Sequence, residues 1–211
     1  SGLMGAGRTE TARALFGADH KESGNVSING QEVHIKTPQD AVECGLGYLS
    51  EDRKRFGIIL KKNIAENSTL TCLPKFCKGF FIDKHAERKV TKTFVDLLNT
   101  KTPSIDQMLM NLSGGNQQKV AIGKWLIGDS EIIIFDEPPR GIDVGAKQEI
   151  YELMNRLVNE GKSIIMISSE MTEILRMSDR IIVMCEGKIT GELDIKDATQ
   201  EKIMHLATLR S

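Results

Sequence analysis

Two apolar runs decide the fold class of this chain. Ile132, Ile133, Ile134 and Phe135 form an unbroken hydrophobic stretch that stops on Asp136 and Glu137, and residues 163–167 form a second such run. A strand with one wet face alternates apolar and polar side chains. Continuous runs belong to parallel sheets covered by helices on both faces. Between them, Ile150, Leu153, Met154, Leu157 and Val158 recur at helical spacing from about residue 145 to 159. Strand, helix, strand in that order predicts an α/β domain. The 211 residues suit one domain, or one with a subdomain, and the 40% hydrophobic share can fill its core, which excludes a disordered chain.

The flanking segments extend this pattern. Ala12, Leu15 and Phe16 suit a short helix that Gly17 ends, and a hairpin is expected next, with strands at 26–30 and 33–35 after a polar turn at 22–25. Pro38 sits at a helix start, and residues 47–49 read as a strand. The character changes at about residue 63, where Ala86, Val90, Phe94, Leu97 and Leu98 mark an amphipathic helix over 84–99. A helix is expected over 116–126, a hairpin over 180–193 turning at Glu186 and Gly187, and a final helix after Ile195. The predicted partition is therefore a core over 1–62, a helical subdomain over 63–112, and the rest of the core over 113–211.

Charge narrows the function classes. Lys and Arg total 28 against 29 Asp and Glu, a formal net charge of -1, which argues against a nucleic-acid partner. Arg53, Lys54 and Arg55 form a small basic run, but Glu51 and Asp52 adjoin it. No apolar run reaches the ~18 residues needed to span a bilayer, so a membrane role requires a partner. Cys44, Cys72, Cys77 and Cys185 include no CxxC pair and read as isolated thiols.

Three stretches carry chemistry. Residues 2–9 read GLMGAGRT, with the phosphate-loop spacing of glycine, four residues, glycine, a basic residue and a hydroxyl. Gly2, Gly5 and Gly7 would let backbone N–H groups wrap phosphate oxygens at a helix N-terminus, and Thr9 would hold Mg²⁺. The basic residue is Arg8 rather than lysine; its planar guanidinium is longer and differently shaped. A glycine loop that only caps a helix has the same pattern. The run ending on Asp136 and Glu137 strengthens the phosphate reading, because adjacent buried carboxylates call for a cation. Asp136 would reach Mg²⁺ through water, and Glu137 would orient or deprotonate an attacking water. The third stretch, NLSGGNQQKV at 111–120, places Ser113, Gly114 and Gly115 at a helix start. Two anion-binding loops in one nucleotide domain suggest ATP held between two chains or two domains.

LSGGNQQKV, IIIFDEPPRGIDVGAK, GLMGAGRTE and YLSEDRKRFG together resemble the ATPase of an ABC transporter. More narrowly, they resemble the C-terminal nucleotide-binding domain of the fused ATPase that serves bacterial monosaccharide importers of the ribose, galactose, arabinose and xylose type. The resemblance implies a P-loop NTPase fold with a helical subdomain. It makes residues 2–9 the Walker A loop, Ser113 to Gln117 the signature, Asp136 the Walker B aspartate, Glu137 the catalytic glutamate and Asp143 the D-loop aspartate. Glu51 falls where a Q-loop glutamine is usual, and Ser169 where a switch histidine is usual. Arg8, Glu51 and Ser169 therefore depart from the general pattern at one site. A glutamate donates no amide N–H and a serine carries no positive charge, so this domain's own ATP site is expected to be degenerate. Its signature would complete the site of a companion N-terminal domain in the same polypeptide.

The implied setting is the cytoplasmic side of the membrane, peripheral, on transmembrane permease subunits, with an external sugar-binding protein acting indirectly. Residues 60–74 would face those subunits. Pro139, where threonine is usual, would stiffen the loop leaving the strand. The strand before the phosphate loop and the N-terminal β-subdomain of the family have no counterpart in the sequence. That predicts a fragment with weak nucleotide binding, negligible turnover and a tendency to self-associate. Two other readings compete. One is a non-hydrolysing regulatory or structural half-site. The other is a soluble ABC-type ATPase of translation or DNA repair, which the lack of long charged inserts disfavours.

Overall fold

A computed structural model describes residues 1–138 and 140–209, so Pro139 and the stiffening expected of it lie outside the described residues. Its centre is a three-stranded parallel sheet of β3 (Leu46–Leu49), β6 (Ile132–Asp136) and β7 (Ser163–Ile167), in the order β3-β6-β7. Leu46 pairs with Ile132 and Phe135 with Met166, so β6 lies in the middle. Its apolar run is buried accordingly, with Ile133, Ile134 and Phe135 fully inaccessible. Helices α1 (Arg8–Leu15), α2 (Pro38–Glu43), α5 (Gly114–Ile127) and α6 (Val144–Asn159) pack on it. Phe16, which ends α1, stacks edge-on against Trp125 of α5 at 5.6 Å and lies 5.5 Å from Tyr48 of β3. That aromatic cluster seats α1 over the sheet.

Two expectations differ from the structure. The hairpin is β1 (Val26–Ile28) and β2 (Gln31–Val33), closed by Asn29 and Gly30 with φ of 52° and 77°. Residues 29–30 are thus the turn, an Asn-Gly pair of the kind that favours left-handed backbone, and only Val33 of the expected second strand is in it. In β7 the burial alternates, and Ile165 is 45% exposed. The strand lies at the outside of the sheet and α6 covers one of its faces, so its apolar run is covered incompletely.

Residues 63–112 carry α3 (Ile64–Ser68), a 3₁₀ segment (Leu70–Phe76), a small hairpin of β4 (Cys77–Lys78) and β5 (Phe81–Ile82), and α4 (Lys84–Leu97). α3 and α4 pack on α5, which belongs to both parts of the molecule. The hairpin β8 (Arg180–Cys185) and β9 (Lys188–Asp194) turns at residues 186–187 and is backed by α7 (Met171–Met177) and α8 (Gln200–Ala207) over a second core of Ile174, Ile181, Val183, Ile203 and Ala207. Among the described residues the cysteines are free, and no helix is long and apolar enough to cross a membrane.

Lys124 of α5 is buried, with its ammonium 2.7 Å from the carbonyl of Gly57 in the short π-helical turn Arg53–Gly57. Burial lowers its pKa from 10.5 to about 8. The unfolded chain therefore binds more protons between those values, and stability rises with pH across that window. Measured by urea unfolding, the wild type is expected to gain about 2 kcal/mol on Lys124→Met between pH 7 and 10. Parallel stability curves would show that the amine is solvated.

Candidate phosphate site

The loop before α1 is built for close approach. Gly5 and Gly7 have φ of 80° and 90°, a conformation in which a side chain is strained. Gly7 is the N-cap of α1 and supplies no side-chain cap, so the N–H groups of the first turn point out unclaimed by any cap. The loop is held from below, where the N–H of Gly187 donates to the carbonyl of Ala6 at 3.0 Å. Gly2 pairs in parallel with Met184 of β8, and a Cβ there would lie 2.4 Å from the Met184 carbonyl oxygen.

This loop faces the C-terminal end of β6 across a cavity of about 430 Å³, lined by residues 4–10, Glu51, Glu137, Arg140, Ser169 and Glu170. Behind its wall the hydroxyl of Thr9, which lines the cavity, donates to Asp136 Oδ1 at 3.1 Å, and the Tyr48 hydroxyl donates to Asp136 Oδ2 at 2.8 Å. Asp136 is 1% exposed; burial raises its pKa, against the pull of those two hydrogen bonds. A hydroxyl lining the cavity and the carboxylate in contact with it are the oxygen donors a hard cation such as Mg²⁺ takes while keeping several waters, so the residues fit that ion.

Glu137 follows on backbone with φ of 47°, unusual for a residue with a side chain. The Ser169 hydroxyl donates to its Oε2 at 3.1 Å, and Arg8 lies 3.6 Å from its Oε1. Burial raises the Glu137 pKa, opposed by the Ser169 hydrogen bond and by Arg8, which leaves the carboxylate a stronger base than a solvated one. Arg8 itself turns away from the loop and donates to the Ser168 carbonyl at 2.7 Å. Glu51 is ion-paired with Arg140.

Ser113, Gly114, Gly115, Gln117 and Asp143 do not line this cavity. Ser113 caps α5 and accepts from Asn116 Nδ2 at 3.0 Å. A Cβ on Gly114 would lie 2.8 Å from Arg53 Nη2, and one on Gly115 would lie 2.6 Å from the Cβ of Ala146. Gly115 therefore admits the start of α6 against α5, and Gly114 admits the Arg53 guanidinium and the Gly141 carbonyl, packing needs separate from any cradle. Asp143 caps α6, accepting from the Ala146 N–H at 2.9 Å. Gln117 points inward, donating to the carbonyls of Leu109 and Leu112 at 3.0 and 3.2 Å. Sequence reasoning missed Tyr48 and Arg140, and it placed Arg53 beside the Glu51 region only as part of a basic run. Arg140 alone had a local signal, a cation just after Asp136 and Glu137.

A parallel sheet with a glycine loop at its C-terminal edge, opposite a strand ending in two carboxylates, defines a P-loop NTPase architecture. The ABC transporter family pattern matches residues 1–140, and the chain belongs to that family. It is 55% identical, over all 211 residues, to ribose/galactose/methyl galactoside import ATP-binding protein 2 of Burkholderia cenocepacia (strain HI2424), covering 41% of that protein. It is 54% identical over 209 residues, 99% of its length, to the xylose import ATP-binding protein XylG of Thermoanaerobacter pseudethanolicus (strain ATCC 33223 / 39E), again covering 41% of it. The chain thus spans about two-fifths of the length of the curated relatives it matches. Among solved structures, an ABC transporter's ATP-binding cassette in its ADP conformation superposes with a TM-score of 0.79 at 20% identity, covering 97% of this chain and 84% of that one. A dimeric cassette bound to ADP and Pi gives 0.76 at 20% identity, covering 92% and 83%. The fold is that of an ABC ATPase domain.

Proposed function

We propose that this chain is an ATP-binding domain that powers import of a monosaccharide through an ABC transporter. The observation that carries the nucleotide reading is the meeting, in one cavity of about 430 Å³, of the glycine loop, Thr9 and Glu137, with Asp136 buried behind the Thr9 hydroxyl. The sugar reading is supported by what the relatives are named for along the whole of this chain. In the proposed role, the backbone of residues 5–9 holds the phosphates, while Thr9 and Asp136 hold Mg²⁺. That ion would neutralise charge on the β- and γ-phosphate oxygens. Glu137, oriented by Ser169, accepts the proton of a water. The partition into a core (1–62 and 113–211) and a helical subdomain (63–112) belongs to the same proposal.

The domain's own site is the weaker of two. Arg8 is spent on the Ser168 carbonyl, Glu51 is an acceptor engaged with Arg140, and Ser169 brings a hydroxyl where a cation would stabilise a leaving phosphate. Ser113, Gly114 and Gly115 stand outside this cavity, free to complete the site of a companion ABC domain on the same polypeptide. Permease subunits and, beyond the membrane, a sugar-binding protein complete the assembly, with this domain peripheral on the cytoplasmic side. A purely regulatory half-site is the second reading, and the engagement of Arg8 favours it.

The test is ATP-dependent uptake of labelled ribose, galactose and xylose into proteoliposomes carrying the assembled importer. Uptake of at least one sugar, abolished when ATP is withheld, is expected. ATP hydrolysis that drives uptake of no monosaccharide would overturn the importer reading.

A further inference from the structure

Among the described residues that line the cavity, fixed positive charge comes from Arg8 and Arg140. Arg8 lines the cavity with its guanidinium already engaged by its own chain. Its side chain is 10% exposed, donates to the Ser168 carbonyl at 2.7 Å and leans on Glu137. Arg140 is placed differently. Its side chain is 61% exposed and reaches Glu51 on the facing wall. Its backbone is anchored, because Arg53 Nη1 donates to the Arg140 carbonyl at 3.1 Å and Nη2 reaches the Gly141 carbonyl at 3.5 Å. The guanidinium can therefore swing while the loop beneath it stays in place.

The cavity otherwise presents carboxylates, from Glu10, Glu51, Glu137 and Glu170. A polyphosphate entering among them meets like charge on several sides, and a cation must move to it. We propose that Arg140 reads the terminal phosphate of the nucleotide at this site, exchanging the Glu51 carboxylate for that phosphate. The exchange is chemically close to isosteric. A guanidinium presents the same planar fork of N–H donors to a carboxylate and to a phosphate. Glu51 is then a placeholder that keeps Arg140 at the mouth until a triphosphate arrives. A diphosphate, lacking the outermost group, leaves the Glu51 pair intact. Arg140 thus makes the site distinguish ATP from ADP, in the absence of the positive charge that Ser169 does not supply. The inference rests on the nucleotide reading of the cavity.

The test uses the assembled importer with azido-ATP and azido-ADP as photolabels, and the labelled peptides are mapped so that only this domain is scored. Arg140→Ala is expected to weaken azido-ATP labelling about 30-fold, the loss of a charge-assisted hydrogen-bond pair. It should leave azido-ADP labelling within about twofold, with Arg140→Lys recovering part of the ATP affinity. Glu51→Gln should raise ATP affinity severalfold by releasing the guanidinium, and Arg140→Ala should cancel that gain in the double variant. Equal losses for both nucleotides would show that Arg140 only shapes the mouth, and would overturn the proposal, as would no loss at all. Absence of labelling by either nucleotide in the unsubstituted protein refutes the nucleotide reading itself, and the proposal with it.

Discussion

Lys147→Met is expected to destabilise the fold by about 3 kcal/mol, because it strands a buried carboxylate. Lys147 lies in the first turn of α6, and its ammonium pairs with Glu170 Oε2 at 2.7 Å and with Glu173. Glu173 is 3% exposed and also accepts from the Ser168 hydroxyl at 2.6 Å. Burial pushes the Glu173 pKa up, but the Lys147 ammonium and the Ser168 hydrogen bond outweigh it and hold the group below its usual 4.5. With the folded pKa depressed, the stabilisation is present above pH 4.5 and is lost as pH falls through the folded value. In the methionine variant burial is opposed only by the hydrogen bonds that remain, that of Ser168 among them, so the carboxyl's pKa rises and acidification relieves the penalty. The stability gap between wild type and variant, read from urea unfolding, should therefore shrink as the pH is lowered toward about 4. Glu173→Gln should restore most of the loss at neutral pH. A gap independent of pH would show that Lys147 acts through packing alone.

The second large effect rests on the proposed function and concerns which catalytic group the assembled importer depends on. Ser113→Ala is expected to lower its ATP turnover about 100-fold, the scale of losing one donor aimed at developing phosphate charge. Ser113→Thr, which keeps a hydroxyl and a cap, should recover most of it. Glu137→Gln should hold turnover to within about threefold of the unsubstituted importer, less than 1 kcal/mol of barrier. Both expectations follow from one asymmetry. The Ser113 loop is intact and lies outside the cavity, whereas the cavity's own Arg8, Glu51 and Ser169 are committed or uncharged. A collapse on Glu137→Gln with little effect of Ser113→Ala would reverse the assignment and make this domain's own site the hydrolysing one. The alanine variant also removes the α5 cap, worth ~1 kcal/mol, so thermal stability must be read beside turnover.

The strands that carry the site were legible because their chemistry is local. The apolar run of β6 ends on its two acids within the same segment, and the glycine loop spans eight residues. The first hairpin was displaced because Asn29 and Gly30 were counted into a strand, although that pair is a turn signal. Other features depend on how distant segments meet. Tyr48 reaches Asp136 from 88 residues away, through a register that only the paired strands establish. Arg53 looked like one member of a basic surface run, but its donors point to the carbonyls of residues 140 and 141. The partial exposure of Ile165 follows from the position of β7 at the outside of the sheet, which composition along the strand does not encode. The spacing of Gly114 and Gly115 suggests a cradle for anions, and the approach of Arg53 to the first and of Ala146 in α6 to the second adds a reason that no spacing within the motif discloses.

Glu137 occupies left-handed backbone with φ of 47°, where glycine would relax the main chain by roughly 1 kcal/mol. Random mutational drift toward a comfortable backbone would therefore erase this carboxylate. The position thus sets conformational ease against a carboxylate held in the cavity wall beside Arg8 and Ser169.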